Sequence, residues 1–357
     1  MKILTVVGTR PQLVKVAPVS RMLRQLVTEV LINTGQHYDY NMAGVFFDEL
    51  NIPKPDYDLG CGSASHGKQT AAMLQKIEEV MMDERPDAVL VYGDTNSTLA
   101  GALAASKLHI PTIHIEAGLR SFDKKMPEEI NRVLTDHISS LLFAPTEAAV
   151  ENLKREGITN NVINAGDVMY DAVLYNTAIA EEKYTLKPFR VTEKNYILAT
   201  IHRPYNTDSP DKLTAIVHAF EKMQETVIFP VHPRTKQRLE EFGLYDRLYQ
   251  SSHIQLISPI SYLEMLLLEK KAKAIITDSG GVQKEAYFAK VPCITLRSET
   301  EWVETVEAGC NHLVNVLNED LSAVIQEIIP NGDYSKKLFG DGKASEKIVK
   351  EILKYFQ

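Results

Sequence analysis

Two carboxylates stand where apolar runs give way to polar turns, and a third stands at the start of a helical pattern. Glu116 follows Pro111-Thr112-Ile113-His114-Ile115 and leads into Ala117-Gly118-Leu119-Arg120; Pro127-Glu128-Glu129-Ile130-Asn131-Arg132 comes next, and Gly93-Asp94-Thr95-Asn96-Ser97-Thr98 precedes both. A charge at the end of a buried strand needs a partner, a ligand or a shifted pKa, and carboxylates so placed suit proton transfer. Asp94, Glu116 and Glu128 are therefore candidate acid/base groups. Each also has a plainer reading: Asp94 could cap the helix that follows, and Glu116 could pair with Arg120 or Arg132 to fix a loop.

A second set of residues suits an anion. Gly8-Thr9-Arg10-Pro11 ends one apolar run and opens a helical pattern carrying Lys15, so Arg10 and Lys15 can reach a negative group near the positive helix end. His202-Arg203 ends the run Tyr196–Ile201, where a histidine can carry a proton, donate to phosphate or serve only structure. Thr277-Asp278-Ser279-Gly280-Gly281-Val282-Gln283 joins an apolar run to another helix. The small Ser279, Gly280 and Gly281 let a phosphate approach free amides, and Glu285 lies within reach of ribose hydroxyls. Neither Gly-x-x-x-x-Gly-Lys-Ser/Thr nor Gly-x-Gly-x-x-Gly occurs, which disfavours a Walker loop and a dinucleotide fingerprint and favours a nucleotide-sugar site.

Short apolar runs alternating with amphipathic stretches predict βα units around parallel sheets. Strands are expected at Ile3–Val7, Glu29–Asn33, Ala88–Tyr92, Thr112–Ile115, Leu141–Ala144 and Val162–Ala165, with helices such as Pro11–Leu26 and Ser97–Leu108 between them. After a mainly helical bridge, Asp167–Glu182, and a polar connection, Glu181–Asn195, the pattern restarts at Tyr196–Ile201, Val227–Val231, Ile254–Leu256, Ala274–Thr277 and Cys293–Leu296. The expected architecture is α/β, with two Rossmann-like domains whose parallel sheets face a central cleft. Residues 1–168 form the first and 169–344 the second, and a last helix within 345–357 packs back on the first.

Composition narrows the class. The chain has 357 residues, enough for two domains. It is 44% hydrophobic and 24% charged, ordinary for a soluble protein, and no stretch reaches the ~20 apolar residues of a membrane helix. A net charge of −8 argues against nucleic-acid binding by phosphate neutralisation. Cys61, Cys293 and Cys310 lack the paired spacing of a zinc site or disulfide framework, and the first apolar segment is too short for a signal peptide; a cytoplasmic location is expected.

Taken in order, Gly8-Thr9-Arg10-Pro11, Gly93-Asp94-Thr95, Glu116-Ala117-Gly118-Leu119-Arg120, Pro127-Glu128-Glu129 with Asn131-Arg132, His202-Arg203 and Asp278-Ser279-Gly280-Gly281 resemble the non-hydrolysing UDP-N-acetylglucosamine 2-epimerases over nearly the whole chain. The resemblance implies a GT-B arrangement of two Rossmann-like domains, a homodimer, a UDP-sugar substrate, and no metal or nicotinamide cofactor. It implies that UDP leaves C1 as the C2 proton is removed, giving a 2-acetamidoglucal to which UDP re-adds. By the same likeness Asp94, Glu116, Glu128 and His202 are catalytic. Arg10, Lys15, Arg132, Ser279, Gly280, Gly281 and Glu285 bind substrate, and Gln36, His37 and Gln69 are candidates for a second, activating substrate molecule. The chain departs from the best-known members at Gln12, at Glu301-Trp302-Val303-Glu304 and in the loop Gln36–Met42. These variants resemble a branch that includes epimerases of UDP-2,3-diacetamido-2,3-dideoxyglucuronic acid. Hydrolysing epimerases, GT-B glycosyltransferases and non-catalytic sugar-nucleotide sensors are the alternatives.

Overall fold

The computed structural model describes residues 1–36, 52–321, 323–324 and 332–357. The chain divides into two compact units, one of Met1–Ala172 with Phe339–Gln357 and the other of Val173–Leu338.

In the first unit the order is β1 (Lys2–Val7), α1 (Arg10–Leu23), β2 (Thr28–Asn33), β3 (Tyr57–Asp58), α2 (His66–Glu84), β4 (Ala88–Tyr92), α3 (Asn96–Lys107), β5 (Thr112–Ile115), α4 (Pro127–Ile138), β6 (Leu141–Ala144), α5 (Glu147–Arg155) and β7 (Val162–Asn164); α6 (Val168–Lys183) belongs to this unit up to Ala172 and to the second from Val173. Its seven strands lie parallel in the order β3-β2-β1-β4-β5-β6-β7. Their apolar runs are continuous rather than alternating because helices cover both faces of such a sheet: every residue of β4 and of β5 is buried. The second unit repeats the plan. It has β8 (Tyr196–Thr200), α7 (Pro204–Thr207), α8 (Pro210–Lys222), β9 (Thr226–Pro230), α9 (Pro233–Glu241), α10 (Tyr245–Gln250), β10 (Ile254–Ile257), α11 (Tyr262–Lys271), β11 (Ala274–Thr277), α12 (Gly280–Phe288), β12 (Cys293–Thr295), α13 (Val303–Glu307) and β13 (Asn311–Leu313). Its sheet order is β10-β9-β8-β11-β12-β13, again parallel. Two doubly wound, Rossmann-like sheets in tandem are the fold the sequence predicts.

The differences from the expected elements have local causes. The first helix stops at Leu23 rather than Leu26, because Gln25, Leu26 and Val27 donate back to Met22, Leu23 and Leu23 and turn the chain into β2. Two short strands, β3 and β13, escape the sequence pattern because Tyr57-Asp58 and Asn311-His312-Leu313 contain no apolar run. The polar connection is partly ordered: α6 runs to Lys183, and a 3₁₀ turn at Lys187–Phe189 buries Phe189.

The last helix, α14 (Ala344–Tyr355), belongs to the first unit. It packs on α1, and its start is held by Asp171, whose carboxylate accepts from the amides of Ala344 (3.1 Å) and Ser345 (2.7 Å). No described helix is long and apolar enough to cross a membrane.

Candidate active site

Each sheet reverses its winding between two neighbouring strands, β1 and β4 in the first unit, β8 and β11 in the second. The connections leaving those strands diverge to opposite faces, which opens a crevice beyond the carboxyl ends. Gly8-Thr9 follows β1 and Gly93-Asp94 follows β4; His202 follows β8 and Asp278-Ser279 follows β11. The sequence motifs thus fall at both switch points.

In the first unit the β1 turn comes so close to its neighbours that a Cβ on Gly8 would lie 2.0 Å from Thr34 Oγ1 and 2.3 Å from Ser97 Oγ. Gln12, buried on the first turn of α1, ties this loop to the next one. Its Oε1 accepts from the amides of Gly8 (2.9 Å) and Thr9 (3.2 Å), and its Nε2 donates to Tyr92 O (2.8 Å) and Thr98 Oγ1 (3.0 Å). An amide serves both sides of this junction, since it accepts at one end and donates at the other. Here Gln12 is part of the scaffold.

Tyr92 pairs with Ile115 in the sheet, so Gly93 and Glu116 leave adjacent strands side by side. Glu116 is buried and sits at φ 72°, a left-handed conformation that costs a non-glycine residue about 1–3 kcal/mol and gathers at functional sites. Both its own amide and that of Ala117 donate to Phe143 O at 3.0 Å, which fixes the kink. The Glu116 carboxylate bonds Lys15 Nζ. Gly93, at φ 64°, makes room for that pair, because a Cβ there would lie 3.0 Å from Glu116 Oε2 and 3.5 Å from Lys15 Nζ.

The sequence offered Arg120 or Arg132 as the partner of Glu116. Neither is. Arg120 donates to Asp136 Oδ2 (2.7 Å) and grips Glu156 with two bonds of 2.8 Å, while Arg132 bonds Asp94 Oδ2 (2.5 Å) and Glu129 Oε2 (3.1 Å). Nor does Asp94 cap α3, for Thr95 does so by accepting from the Thr98 amide. With its carboxylate on Arg132 and its carbonyl on Asn131 Nδ2 (2.9 Å), Asp94 is bound to α4.

That helix is turned with its polar side inward. Glu129, Asn131, Arg132, Thr135 and Asp136 are buried, whereas Ile130 and Leu134 are about half exposed. A polar helix face buried against strand ends is what a site requires and what a core does not. Glu129, which the sequence reading passed over, organises the preceding loop by accepting from Ser121 N, Ser121 Oγ and Phe122 N at 2.8 to 3.0 Å. Burial works to raise its carboxyl, yet these hydrogen bonds and Arg132 outweigh that and hold it below the usual range. Glu128, by contrast, is exposed and has no side-chain partner among the described residues.

Two of the residues expected at an activating site, Gln36 and Gln69, meet the first turn of α3 at consecutive residues. Gln36 Oε1 accepts from Ser97 N (3.0 Å) and Ser97 Oγ (2.7 Å), and Gln69, on α2, accepts from Asn96 Nδ2 (2.9 Å) and donates to Gly62 O (2.8 Å). His37 lies outside the described residues.

In the second unit Asp278 is fully buried and organises the switch point. Its carboxylate accepts from the amides of His202 (3.0 Å) and Arg203 (3.0 Å) and from Asn206 Nδ2 (3.1 Å). His202 is thereby presented at the strand end, half-buried, with Nδ1 3.7 Å from Asp278 Oδ1. Burial lowers its pKa, opposed by Asp278 and helped by Arg203 and His232. The His232 ring lies 5.9 Å away.

Ser279 stands at the N-cap of α12 without a side-chain capping bond, and its amide donates to Thr277 Oγ1 at 3.0 Å. A Cβ on Gly280 would find its nearest atoms, Glu301 Oε2 and Trp302 Nε1, at an ordinary 3.7 Å. The protein's own packing therefore does not demand glycine at this helix start. Trp302 Nε1 donates to Gly280 O (2.9 Å), and Lys284 Nζ lies 4.1 Å from the indole centroid, so the departure at Glu301-Trp302 adjoins the Ser279-Gly280-Gly281 turn. Glu285 lies one turn on, buried with Glu269 and Tyr262; burial pushes its carboxyl up to about 7. No three-carboxylate, histidine or cysteine cluster able to hold a metal occurs among the described residues.

The first unit thus has two carboxylates on neighbouring strand ends, each paired with a cation, groups of the kind that transfer protons; the second has a glycine turn at a helix start, a feature suited to an anion. Residues 21–353 match the family model described as UDP-N-acetylglucosamine 2-epimerase. The chain belongs to the UDP-N-acetylglucosamine 2-epimerase family. Family members are isomerases of carbohydrates, and so is this chain. A UDP-N-acetylglucosamine 2-epimerase homolog of Methanococcus maripaludis is 56% identical over 356 residues, covering 99% of each chain. The UDP-2,3-diacetamido-2,3-dideoxy-D-glucuronate 2-epimerase of Pseudomonas aeruginosa is 46% identical over 370 residues, covering 99% of this chain and 100% of the other. Among solved structures, the Methanocaldococcus jannaschii UDP-GlcNAc 2-epimerase in complex with UDP-GlcNAc and UDP superposes with a TM-score of 0.88 at 50% identity, covering 99% of this chain and 100% of that one.

Proposed function

We propose that this epimerase interconverts UDP-N-acetylglucosamine and UDP-N-acetylmannosamine without hydrolysis. The observation that carries the reading is the Lys15–Glu116 pair seated over Gly93, one residue from the Asp94–Arg132 pair. It supplies two carboxylates at adjacent strand ends, each with a cation beside it. One base takes the C2 proton while the C1–O bond breaks and UDP departs with the bonding pair, leaving the 2-acetamidoglucal. Protonation at C2 from the opposite face and re-addition of UDP at C1 complete the exchange. Asp94, Glu116 and Glu128 share the acid and base roles. Ser279, Gly280 and Gly281 hold the diphosphate at the start of α12, Arg10, Lys15 and His202 hold or protonate the leaving group, and Glu285 takes the ribose. Hydrogen bonds to such a charged group are worth about 1.5–3 kcal/mol each, which keeps UDP in place for recapture.

The 46% identity to the Pseudomonas aeruginosa enzyme, with Trp302 beside the α12 turn, favours UDP-2,3-diacetamido-2,3-dideoxyglucuronate as the second reading. Proton NMR of each UDP-sugar in deuterated water separates them. The expected result is UDP-N-acetylmannosamine with deuterium at C2. Turnover of the diacetamido uronate alone would select the second reading; release of free UDP with each turnover would show a hydrolysing enzyme, and an inert spectrum with both would overturn epimerisation. The active species in this reading is a cytoplasmic homodimer, which sedimentation of the purified protein checks.

A further inference from the structure

Beneath the acid/base loops of the first unit lies a histidine that the mechanism does not use. His114, in the middle of β5, is fully buried, and both its ring nitrogens face oxygen: Nδ1 is 2.7 Å from Asp136 Oδ1 and Nε2 is 2.8 Å from the Gly93 carbonyl. A carbonyl oxygen only accepts, so Nε2 carries a proton. The Asp136 carboxylate also accepts from Gly118 N (3.1 Å) and from Arg120 Nη1 (2.7 Å). A guanidinium at that distance selects the ionised carboxylate, and an ionised carboxylate requires a proton on Nδ1 as well. The ring is then an imidazolium, and its charge with that of Arg120 balances those of Asp136 and Glu156. Burial works to raise the Asp136 carboxyl, but His114 and Arg120 outweigh it and hold it below the usual aspartate range.

The partners of this pair are the hinges of the site. Gly93 O belongs to the residue before Asp94, and Gly118 N lies two residues after Glu116. Asp136 sits one turn beyond Arg132 on α4, whose first turn carries Glu128. Three segments bearing the three carboxylates thus refer to one buried charge pair.

We propose that His114 and Asp136 are positioning residues of the epimerase centre, a doubly protonated ring and a carboxylate that set the loops of Asp94 and Glu116 and the helix of Glu128 in mutual register. The proposal rests on the assignment of those carboxylates to the reaction, and its spectroscopic test does not. In the wild-type protein labelled with ¹⁵N-histidine, one of the ten histidines is expected to show two ring nitrogens at imidazolium shifts, each with a slowly exchanging proton. A set of rings all neutral, or protonated only in fast exchange, overturns it. For the kinetic arm, His114→Gln and Asp136→Asn are expected to lower kcat about 100-fold, the scale of an ångström's misplacement, with KM for the UDP-sugar and the affinity for UDP unchanged. Activity that merely follows the folded fraction in both variants, with kcat per folded molecule intact, would reduce the pair to scaffold and overturn the proposal. If the wild type turns over neither UDP-sugar, the proposed function fails, and the labelled-histidine spectrum still decides the state of the pair.

Discussion

At the scale of single residues, the question is which carboxylates take part in the chemistry. Asp94 and Glu116 are each paired with a cation, whereas Glu128 is exposed and its neighbour Glu129 is committed to the 121–122 loop. General acid–base groups contribute about 10²–10⁴-fold each. Asp94→Asn, Glu116→Gln and Glu128→Gln are therefore expected to lower kcat by at least about 100-fold while UDP affinity, measured by calorimetry, stays near wild type. Wild-type kcat in Glu128→Gln alone would leave Asp94 and Glu116 as the acid/base pair. The sequence showed these carboxylates because Asp94 and Glu116 follow apolar runs and Glu128 opens a helical pattern after Pro127. It did not show their partners, since a parallel sheet joins residues far apart: Lys15 reaches Glu116 across 101 positions, while the nearby Arg120 looks away toward Asp136. Glu129 and Asp136 were illegible for a related reason. Ile130 and Leu134 suggest the buried face of α4, and the structure buries the opposite one.

At the scale of elements, strand ends were read well because burial on both faces writes long apolar runs into the sequence. Ala88–Tyr92, Thr112–Ile115, Leu141–Ala144 and Ala274–Thr277 have the boundaries expected. The α12 turn was legible as small residues after such a run, but its tolerance was not. Gly280 has space for a methyl group, and alanine is the better helix former by about 0.8–1 kcal/mol in a helix interior. Gly280→Ala should therefore leave the melting temperature unchanged or slightly raised and weaken UDP at least about tenfold, through about 1.4 kcal/mol of lost phosphate contact. Ser279→Ala should weaken UDP similarly without loss of stability. Undiminished UDP affinity in both, by calorimetry, would remove the diphosphate from this turn.

At the scale of the whole molecule, buried carboxyl groups in the two units respond to acid in opposite senses. Asp136 and Glu129 in the first are held below their ordinary values, so the stability they lend is present above about pH 4 to 4.5 and is lost as pH falls further. Glu285 in the second is raised, chiefly by burial, from 4.5 to about 7. The folded state then binds more protons than the unfolded one between those values, and stability falls as pH rises through that window. The second unit is expected to melt at lower temperature at pH 7.5 than at pH 5.5, and Glu285→Gln is expected to flatten that slope. A slope unchanged in the variant would place its origin elsewhere. Sequence gave no hint of this, because Glu285 meets Glu269 and Tyr262 only once α11 and α12 pack together.

The return of α14 to the first unit has a consequence during biosynthesis. A ribosome that has reached Leu338 has supplied every residue of the second unit, but Asp171 still waits for the amides of Ala344 and Ser345, and the face of α1 that α14 covers is bare. The unit begun first is therefore the one completed last, and the loops of Asp94 and Glu116 belong to a body that closes only with the chain's final nineteen residues, Phe339–Gln357.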